Sequence, residues 1–334
     1  MQTYCRTVVT LLLPLVLLLI TACATESPQQ STEATTNGKF NAVATTGMLG
    51  DLLQNVLGDK ATVRVLMAPG VDPHTYIPTR QDTLDLRDAS LIFYNGFHLE
   101  GRMGEVLELL VTDKMTIEAA QLIPAERAIT TNNGAVEDPH IWTDVDLFRE
   151  VALALGERMA TLQPEHADYF RGNAADYASQ LQQLHAYGLQ VMDTLPQERR
   201  ILVTAHDAFA YFGRAYNLRV LAVQGISTEA EAGLRDINAL VDELVEQQVP
   251  AIFFESSVSP KTIQALLEGT KARGMDIHIG GELFSDAMGA KGTYEGTYIG
   301  MMDHNLTLVA RALGGTAPQA GLNGRLDPSK SGDN

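Results

Sequence analysis

The chain has 334 residues, 45% of them hydrophobic and 6% aromatic, enough for two lobes that each bury a core. A formal charge of −17 weighs against a nucleic-acid partner, which would need a basic face. The only cysteines are Cys5 and Cys23, too few and too close to the N-terminus for a disulfide framework or a thiolate metal site.

Residues 1–22 read as a secretory signal: Arg6, then the apolar run LLLPLVLLLI, then small residues before Cys23. The run is short for a membrane span. Ile20-Thr21-Ala22-Cys23 resembles a bacterial lipobox, whose cysteine is acylated after cleavage; a plain signal peptide ending near Ala22 or Ala24 is the alternative. Residues 23–37 are rich in Ser, Thr, Gln and Glu and read as a flexible tether, and residues 316–334 read as a flexible tail.

From residue 38 a βαβ rhythm sets in. FNAVATT is a buried strand, GMLGDLLQNVLG a helix, ATVRVLM a strand, TRQDTLDLRD a helix and ASLIFYNG a strand. The rhythm returns with ILVTAH, AFAYFGRAYN, RVLAVQG, EAGLRDINALVDELVEQQ, PAIFFESS, KTIQALLEGTKARG and DIHIGGELF. Between the two stretches, Pro164 opens and Pro196 stops one long helix, with Tyr169, Tyr177, Leu181, Leu184 and Leu189 near helical spacing. Two helices broken near Gly172 or Gly188 are the alternative. The expected fold class is α/β, with two Rossmann-like lobes (38–163 and 196–315), each a parallel sheet flanked by helices, joined by a linking helix over 164–195.

Two short motifs carry the chemistry. DPHTYI at 72–77 and DPHIW at 138–142 each place a histidine after a proline, with an aromatic residue two positions on. Proline fixes its own φ and keeps the residue before it extended, so each imidazole sits in a stiff turn and can be aimed. His206 ends the ILVTAH strand, where ligands of open α/β sheets bind, and Asp286 follows the last strand. His74, His140, His206 and Asp286 together would suit zinc, manganese or iron, but they are more than sixty positions apart, so only the fold could assemble them. His98, His166, His185, His278 and His304 read as solvated or packing residues, with His98 worth watching because it follows a strand.

The stretches VDPHTYIPT, SLIFYNGFHLE, DPHIW, VTAHDAFAYFGRAY, QGISTEAEAG, PAIFFESS, GGELFSDAMG and GTYEGTY resemble the metal-binding receptors of ATP-driven manganese, zinc and iron importers, a group that includes a treponemal lipoprotein. The resemblance spans roughly residues 40–315. It implies His74, His140, His206 and Asp286 as ligands of one divalent metal cargo, an ABC-type permease with its ATPase as partner, a monomer, and a lipid anchor at Cys23 on the outer side of a bacterial membrane. Asp72 and Asp138 are then candidates to orient the turns or rings, or simply turn caps; Glu255 is a candidate support. Residues 124–138 contain no histidine, unlike the histidine-rich loop of zinc-dedicated relatives, and Glu255-Ser256-Ser257 replaces their Glu-Pro-Gln. Both features point toward the manganese or iron side, and Mn2+ is the first choice. His206 in place of the glutamate of many manganese-dedicated relatives keeps Zn2+ open, and Fe2+ is a third choice. A metal hydrolase or an adhesin is the competing class, but no HExxH or Gly-x-Ser-x-Gly occurs, so no catalytic residue is assigned.

Overall fold

The computed structural model describes residues 39–110, 114–131 and 134–327. The signal, the tether and Cys23 lie outside them. The first lobe runs β1 (Phe40–Ala44), α1 (Gly47–Leu57), β2 (Ala61–Val65), α2 (Arg80–Asp88), β3 (Leu91–Tyr94), α3 (Met103–Leu110) and β4 (Met115–Glu118). A short hairpin of β5 (Thr130–Thr131) and β6 (Val136–Glu137) follows, then α4 (Val145–Leu162). The long helix α5 is Ala167–Asp193. The second lobe runs β7 (Ile201–His206), α6 (Ala210–Tyr216), β8 (Arg219–Gln224), α7 (Leu234–Glu246), β9 (Ala251–Glu255), α8 (Lys261–Ala272), β10 (His278–Leu283) and α9 (Tyr298–Ala312).

The first sheet is parallel throughout, in the order β2-β1-β3-β4. Its strands alternate faces, as a two-residue period requires. Ala42, Ala44, Leu91 and Phe93 face the central core with α1 and α4, and Val43 and Ile92 face the outer layer with α2 and α3. Thr79 starts α2 with a reciprocal cap: its hydroxyl accepts from the Asp82 N–H while Asp82 accepts from the Thr79 N–H.

The second lobe departs from a single continuous sheet. Its strands form two parallel pairs, β7-β8 and β9-β10, with β7 packed beside β9. At the end of that seam the N–H groups of Ala205 and His206 donate to the Glu255 side chain. A carboxylate therefore accepts where a strand carbonyl would otherwise do so.

Helix α5 is continuous and, at about 1.5 Å per residue, roughly 40 Å long. Neither Gly172 nor Gly188 breaks it. Gly188 serves close packing, because a Cβ there would lie 2.6 Å from Tyr216 and 2.9 Å from Leu306. The buried line runs Phe170, Ala174, Tyr177, Leu181, Leu184, Gly188 and Val191, which leaves Tyr169 and Leu189 exposed, unlike the line read from large apolar residues alone. The segment read as a flexible tail is docked as far as it is described. The Asp303 carboxylate on α9 accepts from the Leu322 N–H, the Tyr294 hydroxyl accepts from Asn323, and Ala317 and Leu326 are buried.

Candidate metal centre

Each candidate side chain leaves the carboxyl end of a strand or the turn beyond one, where parallel sheets present open backbone. His206 ends β7, Glu255 ends β9, and Asp286 lies three residues after β10. His74 sits in the connection from β2 to α2, and His140 between the hairpin and α4. Folding brings His74, His140, His206 and Asp286 together, with one ligand atom from each lying within 4.8 Å of the others. All four are buried. The imidazole centroids are 5.3 to 5.8 Å apart. His98 stays exposed, and His185 and His304 are occupied by Tyr216 and the Glu282 carbonyl.

The three acids read as supports do different things. Asp138 Oδ1 accepts from the backbone N–H of His140 at 3.0 Å and from its Nδ1 at 2.7 Å, fixing both turn and ring. Glu255 Oε2 accepts from His206 Nδ1 at 2.6 Å while Oε1 holds the two backbone N–H groups. Asp72 makes no hydrogen bond to a ring among the described residues. Its Oδ1 accepts from the His74 N–H at 2.9 Å, and its Oδ2 accepts from the hydroxyls of Thr75 and Thr228.

This pattern decides what the centre can hold. Rings that donate from Nδ1 present Nε2 as the bare acceptor in their neutral form. The Nε2 atoms of His74 and His140 lie 3.3 Å apart. His206 Nε2 lies 3.1 Å from Asp286 Oδ2, and His140 Nε2 lies 3.5 Å from Asp286 Oδ1. Neither His206 Nε2 nor either Asp286 oxygen completes a hydrogen bond of normal geometry. Ligand atoms this close, in a buried site, need a shared proton or a metal cation among them.

The protonation states of His74 and His206 differ. Burial lowers the His74 pKa to about 4, so the ring is neutral and ready to coordinate at neutral pH. Burial alone would lower His206 too, but Asp286 and Glu255 on either side raise it well above the ordinary imidazole value. Burial alone would raise Asp286; the facing imidazoles, His206 first, hold it far below the usual carboxylate range. One carboxylate and three imidazoles form a donor set that a borderline divalent metal fits.

The sequence reading did not find two further supports. Asn95 Nδ2 donates to the Pro139 carbonyl at 2.9 Å, and Glu100 accepts from the Asn95 and Gly96 N–H groups and the Thr45 hydroxyl. Gly101, at φ 43°, lies so close under His74 that a Cβ would sit 2.1 Å from its carbonyl oxygen. The loop 95–101 thus seats both Asp-Pro-His turns. The Asn95-Gly96 pair at a strand end was its sequence signal.

A family profile described as ZnuA, the periplasmic zinc-uptake complex component A, matches residues 42–312. The manganese-binding lipoprotein MntA of Bacillus subtilis (strain 168) is 42% identical over 294 residues, 88% of this chain and 95% of MntA. The zinc-binding protein TroA of Treponema pallidum (strain Nichols) is 42% identical over 283 residues, 85% of this chain and 92% of TroA. A solved structure of the periplasmic zinc-binding protein TroA superposes with a TM-score of 0.80 at 43% identity, covering 83% of this chain and 99% of that one. With a profile match over most of its length and two such relatives, the chain belongs to the ZnuA family of metal-binding solute-binding proteins.

Proposed function

We propose that the chain is an extracytoplasmic receptor that captures one divalent transition metal between its lobes and hands it to an ABC-type permease with its ATPase. The metal ligands are His74, His140, His206 and Asp286. The observation that carries this reading is the convergence of these four buried side chains, with facing nitrogen and oxygen atoms 3.1 to 4.0 Å apart. His74 and His140 come from the first lobe, taken as residues 38–163, and His206 and Asp286 from the second, taken as 196–315, so cargo bridges the two. The mature chain is a monomer held to the membrane by lipid on Cys23.

The proposed cargo is Mn2+. Both oxygens of Asp286 face the imidazoles, which supports a fifth donor and the higher coordination numbers that manganese takes. Residues 124–138 also carry no histidine. Zn2+ is the second reading, favoured by three imidazole donors and by a zinc-binding relative as similar as the manganese-binding one. The receptor reading over an enzyme is supported by the state of Glu255. Glu255 is buried and committed to His206 and two backbone donors, so it is not free to act as a base toward water.

Metal analysis of cells lacking the gene, grown with each metal limiting, tests the reading. Loss of manganese accumulation under manganese limitation is the expected result. Loss of zinc alone would select the second cargo, and no change in either metal would overturn the receptor role.

A further inference from the structure

The two Asp-Pro-His turns share a motif but not an environment. The second is locked into the other lobe. Trp142 Nε1 donates to the Ser285 carbonyl at 2.8 Å, the Tyr298 hydroxyl to the Trp142 carbonyl at 2.6 Å, and the Tyr211 hydroxyl to the Asp138 carbonyl at 3.1 Å. Asp138, His140, Ile141 and Trp142 are all buried. The first turn lies at the surface, and Ile77 within it is 63% exposed. Its aromatic residue, Tyr76, bonds back to Asp82 in its own lobe.

Apart from the His74 ring itself, one hydrogen bond among the described residues joins residues 72–77 to the second lobe. The Thr228 hydroxyl donates to Asp72 Oδ2 at 2.5 Å. Thr228 lies in the exposed connection between β8 and α7, and the same carboxylate holds the His74 N–H with its other oxygen. The chain Thr228–Asp72–His74 is therefore a clasp from the second lobe to one ligand of the first.

We propose that Thr228 is a positioning residue for cargo retention: through Asp72 it holds the His74 turn closed, and metal leaves when this turn swings out while His140, His206 and Asp286 stay in place. The inference rests on the metal-receptor reading above. A hydrogen bond from a hydroxyl to a carboxylate that is made in the bound state and broken in the exit step acts on dissociation, by about tenfold.

The sole tryptophan, Trp142, stands 5.3 Å from the His140 ring and reports occupancy by its fluorescence. Full-length protein loaded with Mn2+ alone, and separately with Zn2+ alone, is mixed with excess EDTA in a stopped-flow instrument. We expect Thr228→Val to release metal about tenfold faster than wild type, with its association rate and its metal-free melting temperature unchanged. Thr228→Ser, which keeps the hydroxyl, restores the wild-type rate. An unchanged release rate in Thr228→Val, a failure of Thr228→Ser to restore it, or a metal-free melting temperature that falls in step with it overturns the clasp. A wild-type protein that takes up neither metal overturns the receptor reading, and the clasp with it.

Discussion

Glu255→Gln separates the aiming of a ligand from the folding of the protein. Both backbone N–H groups, of Ala205 and His206, point at Oε1, at 2.6 and 2.9 Å. Only the amide oxygen of a glutamine can accept them, so its NH2 must take the place of Oε2, 2.6 Å from His206 Nδ1. An NH2 there cannot accept from Nδ1–H. The imidazole must leave Nδ1 bare and carry its proton on Nε2, aimed at Asp286 and at the metal. The backbone bonds survive, so the fold should survive. The metal should bind roughly 10- to 100-fold more weakly, about 1.4 to 2.8 kcal/mol, the usual cost of removing a partner that orients a histidine ligand. Titration calorimetry with Mn2+ and Zn2+ measures the loss, metal-free melting checks the fold, and 15N spectra of the imidazoles read the tautomer. Wild-type affinity in the variant, or an Nδ1–H tautomer persisting in it, would refute the reasoning.

Asp286→Ala removes the one anionic candidate ligand and should weaken Mn2+ at least about tenfold, with Zn2+ suffering less because imidazole suits it better, while His98→Ala changes neither; calorimetry on both variants decides. His206 holds its proton to well above the ordinary value in the metal-free fold, so metal uptake at pH 7 should expel about one proton, read from the dependence of calorimetric heat on buffer ionisation. By the same sign, the stability that protonated His206 gives the metal-free protein is complete below its unfolded value of about 6.5 and lost as pH rises through its raised folded value. Metal, which replaces that proton, should therefore raise the melting temperature more at pH 8 than at pH 6. Cys23→Ser should release the protein from membranes or leave it unprocessed, and unchanged fractionation and migration would refute the anchor.

Where local pattern sets structure, the sequence was readable. The strands β1, β2 and β3 and helix α2 stand where the βαβ rhythm of FNAVATT, ATVRVLM, TRQDTLDLRD and ASLIFYNG put them. The long helix was readable from its flanking prolines, but its inner line was not, because Ala174 and Gly188 pack there as closely as leucines and leave no apolar signal. Helix α4 went unassigned, although it lies along α5 and begins with Asp144 accepting from the Asp146 and Leu147 N–H groups. That cap stands only six positions beyond the Asp138 turn, within the segment whose histidine drew the reading. The docked tail was not readable at all: its composition is polar, and what holds it is a carboxylate on α9 whose position depends on the rest of the fold.

The four candidate ligands show the same division. Stiff turns and strand ends announced each side chain separately, but their convergence rests on how the lobes pack, which no local spacing encodes. Repetition of Asp-Pro-His suggested two equal devices, and the surroundings make them unequal. Asp138 grips its own ring and is buried beneath Trp142, Tyr211 and Tyr298, so His140 is fixed before metal arrives and loses little freedom on binding. Asp72 grips only the turn of His74 and shares its second oxygen with the opposite lobe. A receptor that must surrender its cargo cannot hold every ligand rigidly. One fixed histidine and one clasped histidine, written with the same three residues, give a centre with a defined place to open.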